Sequence, residues 1–450
     1  MKKALIILMV FIVCNVVLAQ DSLKVKLLYH WDDSTVYMYN EVWGFVQNNR
    51  EYAVIGALEG TYFFDITNPA NVAELGFVPG KEGGCVHRDY HDFNGYLYMV
   101  ADEGASSLQI IDLDYLPDSL ALVYDSDSLF TRSHNIFIDS STARLYTCGG
   151  DQNNGLRVFS LANPLNPLEL VNFAAAAGYV HDVYVRDDTA YVHGGGGFFI
   201  YDLTDVVNPQ LVGSLTSYPT KGYNHSGWLS LDEMIYCFAD ENTNTDIKIC
   251  DVSDFGNITV LDTVNSGGDT NAIPHNLIIK NGFLYASYYQ DGLWIYDISD
   301  PANTSVVGYY DTHPAIATGY GAWGVYPLLP SGVVLVSDMA NGLFVFDVTD
   351  AITAVDPTGS EKDLMRVHPN PFTSQIYVEL PHFITEGKIE VSLIDLQGRI
   401  VTHRLITNNG QKKFDLDTRF LTPGIYFLKV ASDEGTHVQK ITKAGRITHE

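Results

Sequence analysis

Four histidines recur at equivalent points of a repeating pattern. Imidazole is the side chain best suited to bind a metal or to carry a proton near neutral pH. They head the pairs His134-Asn135, His181-Asp182, His225-Ser226 and His275-Asn276. Trp43-Gly44, Arg88-Asp89 and Trp323-Gly324 fall in the same column. A tyrosine follows Arg88, His181 and His275 by ten residues each time (Tyr98, Tyr191, Tyr285), which fixes the alignment. The chain has only 14 His, so four in one column call for an explanation.

If the column surrounds one axis, His134, His181, His225 and His275 are a candidate metal set; the cofactor itself is left open, a divalent metal being the candidate. The wider candidate ligand ring adds Trp43, Arg88, Asp89, Asp182 and Trp323. Asp89 and Asp182 are placed to orient neighbouring imidazoles. Three readings stay open: each His bonds a carbonyl of the adjacent repeat and locks the structure, or the ring holds a ligand or metal, or it is catalytic. Alternation along a strand puts each His and its Asn or Asp neighbour on opposite sides, so some of these residues must serve packing.

Other candidates are weaker. His87 and His91 flank the Arg88 position and read as surface or loop residues. The segments DEG (102–104), DEN (240–242) and GGD (149–151) offer oxygen donors, but none matches the calcium loop DxDxDG, and they read as solvated loops. GGGG at 194–197 follows a strand and precedes no helix, so it is a turn or bulge and not a phosphate cradle. GxSxG, HExxH and GxxxxGK[ST] do not occur, and no catalytic residue is assigned.

The elements that position the column are themselves repeated. TYFFDIT, LQIIDLD, LRVFSLA, FFIYDLT, IKICDVS, LWIYDIS and LFVFDVT place Asp65, Asp112, Ser160, Asp202, Asp251, Asp297 and Asp347 at intervals of 42 to 50 residues. Each unit has an earlier apolar strand, such as GYLYMVAD or GFLYASYY, and turns rich in Gly, Asn and Asp. Seven units of about 47 residues with four short strands each predict a seven-bladed β-propeller. The last unit lacks its outer strand. Residues 22–31, SLKVKLLYHW, read as that strand and would close the ring.

Composition bounds the rest. The chain of 450 residues is 46% hydrophobic and 12% aromatic, which fits a folded, β-rich protein. Residues 20–360 hold 12 basic and 43 acidic residues, and residues 361–450 hold 12 and 11. That break predicts a domain boundary near 360. The net charge of −28 argues against nucleic acid as a partner.

Residues 1–19 read as a Sec signal peptide, with two lysines, a short apolar run and Val-Leu-Ala before Gln20. Phe-Ile-Val before Cys14 lacks the small residues that lipidation needs. Export implies an oxidising compartment. Cys237 and Cys250 flank a polar turn and could form a disulfide. Four buried free thiols, with Cys85 and Cys148, are the equal alternative. No CxxC or Cys/His zinc pattern is present.

The series NEVWGFV, SHNIFID, YVHDVYV, YNHSGWLSLDE, PHNLIIKNGFLYASYYQDGLWIYDISDP and GAWGVYPLLPSGVVLVSDMANGLFVFDV resembles the choice-of-anchor B family over about residues 24–350. The resemblance implies exported propellers of LVIVD-type repeats carrying varied anchoring tails, with no established activity. The chain departs from the repeat at Ser160, where Asp is usual, and at Cys85–His91, where two extra His occur. The tail motifs PNPF, DLQGR, LTPGIYFLKV and KITK, within 367–443, resemble the type IX secretion C-terminal sorting domain. That resemblance implies an Ig-like β-sandwich that docks to the outer-membrane translocon and is cleaved as cargo is attached to surface polysaccharide.

The expected organisation is therefore all-β: a signal peptide at 1–19, a seven-bladed β-propeller at 20–353, a linker at 354–363 and a small β-sandwich sorting domain at 364–450. The expected protein is secreted or cell-surface and acts as a binding or adhesion module for an extracellular ligand. A propeller hydrolase or lyase with an axial His or metal site is the alternative, and a purely structural surface protein is the third.

Overall fold

The computed structural model describes residues 22–353, apart from 107, 151–154, 268–271 and 315–320. In the tail it describes 365–443, apart from 370–371, 381–385, 396–398 and 433–434. The expected signal peptide and linker lie outside the described residues. The chain divides into two compact units, Met1–Thr353 and Ala354–Glu450.

The first unit is a seven-bladed propeller. Six blades are successive antiparallel sheets whose four main strands run in chain order, with innermost strands Tyr39–Gln47, Arg88–Phe93, Ser133–Asp139, Asp182–Arg186, Asn224–Leu229 and Pro274–Lys280. Blade seven has Ala322–Tyr326, Val334–Asp338 and Gly342–Asp347, and its outer strand comes from the N-terminus. Lys26–Trp31 runs antiparallel to Gly342–Asp347, with Lys26 opposite Asp347 and Trp31 opposite Leu343. The expected closing strand is therefore present, but shorter. Ser22 and Leu23 instead pair with Tyr310 and Tyr309 of blade six.

Local chemistry explains the repeat. The first hairpins of blades one, two, four and six turn on Asn48-Asn49, Asn94-Gly95, Asp187-Asp188 and Asn281-Gly282, every one at positive φ. That two-residue geometry suits the strand twist and favours Asn, Asp and Gly. The repeated Asp opens the next turn. Its carboxylate accepts the backbone N–H two residues on, at 2.8–3.0 Å from Asp65, Asp112, Asp202, Asp251, Asp297 and Asp347. Ser160 makes the same contact through its hydroxyl at 3.2 Å, which is why the repeat tolerates it.

The cores lie between blades. Val158 and Leu156 of blade three pack with Val183 and Val192 of blade four in one cluster. The tyrosines Tyr98, Tyr146, Tyr191 and Tyr285 on second strands are all at most 2% exposed, and each contributes roughly 2 kcal/mol through burial. The four described cysteines are free and buried. Cys237 opposes Ile249 while Cys250 opposes Tyr236, so their side chains leave opposite faces of one sheet. Each packs toward a different neighbouring blade, which excludes the Cys237–Cys250 disulfide.

The second unit has two sheets. Arg366–His368, Gln375–Glu379 and Lys413–Asp417 form one; Glu386–Asp395, Ile400–Asn409, Gly424–Ser432 and Gly435–Lys443 form the other. Ile376, Val378 and Leu416 from the first meet Val391, Leu393 and Leu428 from the second in a single core, as in a small β-sandwich.

Candidate functional site

The innermost strands carry three successive tiers of side chains toward the axis. The first tier is a closed circuit of rings. Centroid distances run His87–His134 4.8 Å, His134–His181 4.3 Å, His181–His225 4.1 Å and His225–His275 4.4 Å. His275–Trp323 at 4.5 Å and Trp323–His87 at 5.6 Å complete it. His134, His181, His225, His275 and Trp323 thus stand together as their shared column implies.

Blade two differs from the column. Pairing from Arg88 opposite Ala101 to Phe93 opposite Tyr96 is unbroken. Strict alternation then turns Arg88 away from the axis and leaves His87, two residues before Asp89, facing it. Blades one, five, six and seven instead carry a register shift at this point, so consecutive residues reach inward. Arg88 locks blades one and two, donating to the carbonyls of Ala57 (2.8 Å), Leu58 (3.0 Å) and Glu82 (3.0 Å). Blade one offers Asn40 to the first tier, and its amide donates to Cys85 O at 3.3 Å. Trp43 sits in the third tier, with its Nε1 donating to Asp92 at 2.8 Å.

The second tier is polar. Glu41, Asp89, Asn135, Asp182, Ser226 and Asn276 line a cavity of about 70 Å³. Asp89 and Asp182 do not orient imidazoles. Asp89 accepts Ile136 N–H of the next blade at 2.7 Å, and Asp182 accepts Val183 N–H at 2.7 Å. Glu41 accepts from Val42 N at 2.9 Å and from the Asn276 amide at 2.5 Å. Burial lifts all three carboxyls: Glu41 to about 8, Asp182 to about 7, and Asp89 well above its ordinary range.

The third tier is aromatic. Trp43 lies 4.6 Å from His91 and 4.7 Å from Tyr326. His91–Phe137, Phe137–Tyr184 and Tyr184–Trp228 follow at 5.1, 5.0 and 4.7 Å. His91 is buried here and is not a loop residue.

The acceptors that do orient imidazoles come from the first of the two acidic loops read as solvated. Both follow second strands, in blades two and five. His87 Nδ1 lies 2.7 Å from Glu103, and His134 Nδ1 lies 2.9 Å from Asp102. Glu241 makes no hydrogen bond to an imidazole: it stands 3.7 Å from His225 Nε2 and accepts from Tyr289 Oη at 2.7 Å. Their acidic composition next to strand ends was the available signal. GGD, the third such segment, ends at Asp151, outside the described residues.

Two members of the circuit make the bond expected of a lock: His275 Nδ1 meets Trp323 O at 2.7 Å, and His181 bonds the backbone of His225 in the next blade. The Nδ1 atoms of His181 and His225 are buried and have no hydrogen-bond partner. Burial, reinforced by neighbouring imidazoles, holds both residues well below the ordinary imidazole range, and burial lowers His275 to about 4. These three are neutral near pH 7, with nitrogen lone pairs available. Among the described residues, two clusters bring three metal-ligating groups together: His87, Asp102, His134 and His181, His225, Glu241.

Comparison with known proteins agrees with the architecture. Residues 366–444 match the secretion system C-terminal sorting domain. Residues 177–217 and 273–312, over blades four and six, match the LVIVD repeat. A crystal structure of a protein from Lactobacillus plantarum is similar with a TM-score of 0.51 and 13% identity, covering 84% of this chain and 99% of that one. PorZ, an essential bacterial surface component of the type IX secretion system of Porphyromonas gingivalis, aligns with a TM-score of 0.41 and 12% identity. That alignment covers 89% of this chain and 65% of PorZ. No curated protein matches the chain. The type IX sorting domain implies secretion to the cell surface.

Proposed function

We propose that this chain, with its LVIVD repeats and type IX sorting domain, is a cell-surface binding module whose ligand is taken at the histidine-lined mouth of the propeller. The observation that carries this reading is the closed circuit of five imidazoles and one indole, in which His181 and His225 each keep a buried Nδ1 without a partner. His181 and His225, neutral, tilted against their neighbours and each with an unpaired nitrogen, are unfavourable for folding alone. They suit a site that a ligand completes.

The remaining organisation follows the sequence. Residues 1–19 act as a Sec signal, 20–353 form the binding propeller, and 354–363 form the linker where the tail is cleaved. Residues 364–450 engage the outer-membrane translocon, and the cargo is attached to surface polysaccharide, as the resemblance to type IX sorting domains implies.

A thermal-shift screen of the mature protein against extracellular glycans, small cationic metabolites and metal ions tests the reading. At least one compound should raise the midpoint of the wild type and lose that effect in Trp323→Ala. Compounds that act equally on both proteins would place binding elsewhere.

A further inference from the structure

We propose that His181, His225 and Glu241 form a binding site for a divalent transition-metal ion of the Zn2+ kind, on the side of the mouth built by blades four and five. The inference deepens, and rests on, the reading of the mouth as a binding site.

His181 comes from blade four, and His225 and Glu241 flank the first hairpin of blade five, yet their ligating atoms all lie within 4.8 Å of one another. His225 Nε2 and Glu241 Oε2 are 3.7 Å apart. Two ligands of one tetrahedral ion, with bonds of about 2.0–2.1 Å, stand roughly 3.4 Å apart. Small side-chain movements therefore suffice to close on an ion. The rings of His181 and His225, with centroids at 4.1 Å, are the closest pair in the circuit.

The second observation is the pair of orphan nitrogens. His181 is 8% exposed and His225 3%, and Nδ1 of each lacks any partner. Buried polar atoms are almost always paired, so the two orphans mark these neighbouring rings as under-satisfied in the ion-free fold, while His225 meets the ion through Nε2, the nitrogen that faces Glu241. Glu241 is prepared as well. Tyr289 Oη holds its Oε1 at 2.7 Å and leaves Oε2 directed at His225. Metal-ligating carboxylates characteristically have such a supporting bond.

The donor set selects the ion. Two neutral imidazoles and one carboxylate suit zinc and its neighbours, whereas calcium and magnesium require oxygen ligands. Three protein ligands also leave a coordination position open. An extracellular ligand with a carboxylate or amine would fit there. The propeller's acidic excess raises the local concentration of any cation. The other cluster lacks this deficit: His87 Nδ1 and His134 Nδ1 already face Glu103 and Asp102.

The test is calorimetric titration of Zn2+ into the full-length mature protein after chelator treatment, with Ca2+ as comparison. The expected result is one Zn2+ per chain and far weaker uptake of Ca2+. Glu241→Gln and His225→Ala should each weaken Zn2+ by about tenfold or more. Tyr289→Phe, which keeps the ring volume, should weaken it by a smaller factor. His30→Ala, on the outer strand of blade seven, should change nothing. Melting each ion-free variant separates lost binding from lost folding. The proposal is overturned if the wild type takes up no Zn2+, or if Glu241→Gln binds as the wild type does. It is equally overturned if Asp102→Asn abolishes uptake while Glu241→Gln does not. A ligand whose binding survives chelator yet still requires Trp323 would retain the binding mouth and remove the metal.

Discussion

The rings of His87 and Trp323 face each other at 5.6 Å, joining blades two and seven across blade one. Blade one presents Asn40 at that level, and its amide is turned toward Cys85 between the blades. His87 therefore closes a circuit that blade one leaves open. Glu103 fixes its orientation, and the side chains of both are about one-third exposed. That corner is the wettest part of the circuit.

Arg88, His87's neighbour, has the opposite duty. It is 5% exposed and satisfies three carbonyls. Arg88→Ala should cost about 3 kcal/mol or more in urea unfolding, because those acceptors lose their donor. Arg88→Lys should recover only part of this, since one ammonium cannot replace the guanidinium fork. A loss below roughly 1 kcal/mol would show that the lock lies elsewhere.

Glu41 makes stability depend on pH. Its folded carboxyl titrates near 8 and its unfolded one near 4.5, because burial disfavours the charge. The folded state thus holds a proton that the unfolded state releases between these values. The resulting stability is fully present below about pH 4.5 and is lost as pH rises toward 8. Glu41→Gln should make this decline shallower and leave the variant more stable than the wild type at pH 8, by roughly 1–2 kcal/mol. Denaturant midpoints at pH 5 and pH 8 provide the check. Equal slopes in both proteins would contradict it.

The ring closes on Lys26–Trp31. Trp31 packs on Tyr39, Tyr62 and Phe64 and donates to Glu74. Trp31→Ala should cost about 2 kcal/mol. Removing 22–31 should leave Gly342–Asp347 as an open edge and cause aggregation on heating. Circular dichroism melting with light scattering would register both effects, and an unchanged melt after truncation would oppose this role for the strand.

The tail should act separately in export. Deleting 361–450 should leave the propeller folded but retained in the periplasm. Cell fractionation would detect this, and normal surface levels of the truncated protein would contradict the assignment.

Much of this architecture was legible because local chemistry repeats. The repeated Asp and Ser160 all make the same turn contact, and the paired Asn, Asp and Gly of the hairpins set strand spacing. The His column was legible for the same reason. Arg88 misled because it sits in the column by alignment, whereas an unbroken strand turns it outward and brings in His87. Asp89 and Asp182 were read as partners of imidazoles, yet they lie one step down the strand and bond backbone N–H groups. Asp102 reaches His134 of the next blade, and that distance is set by how blades stack. Glu103 and Glu241 meet His87 and His225 of their own blades, because pairing of the first two strands brings the loop after the second beside the start of the first, a register the residue types alone do not reveal.

The most direct measurement compares stability with binding at the two orphaned imidazoles. His181→Leu and His225→Leu keep similar volume and remove the unpaired nitrogens. If the mouth is kept for ligand, both variants melt at or above the wild-type midpoint, since apolar replacement of an unsatisfied buried group is neutral or favourable. Both should also lose the ligand-induced shift. Midpoints several degrees below wild type, with ligand response retained, would show instead that the circuit is an inter-blade lock.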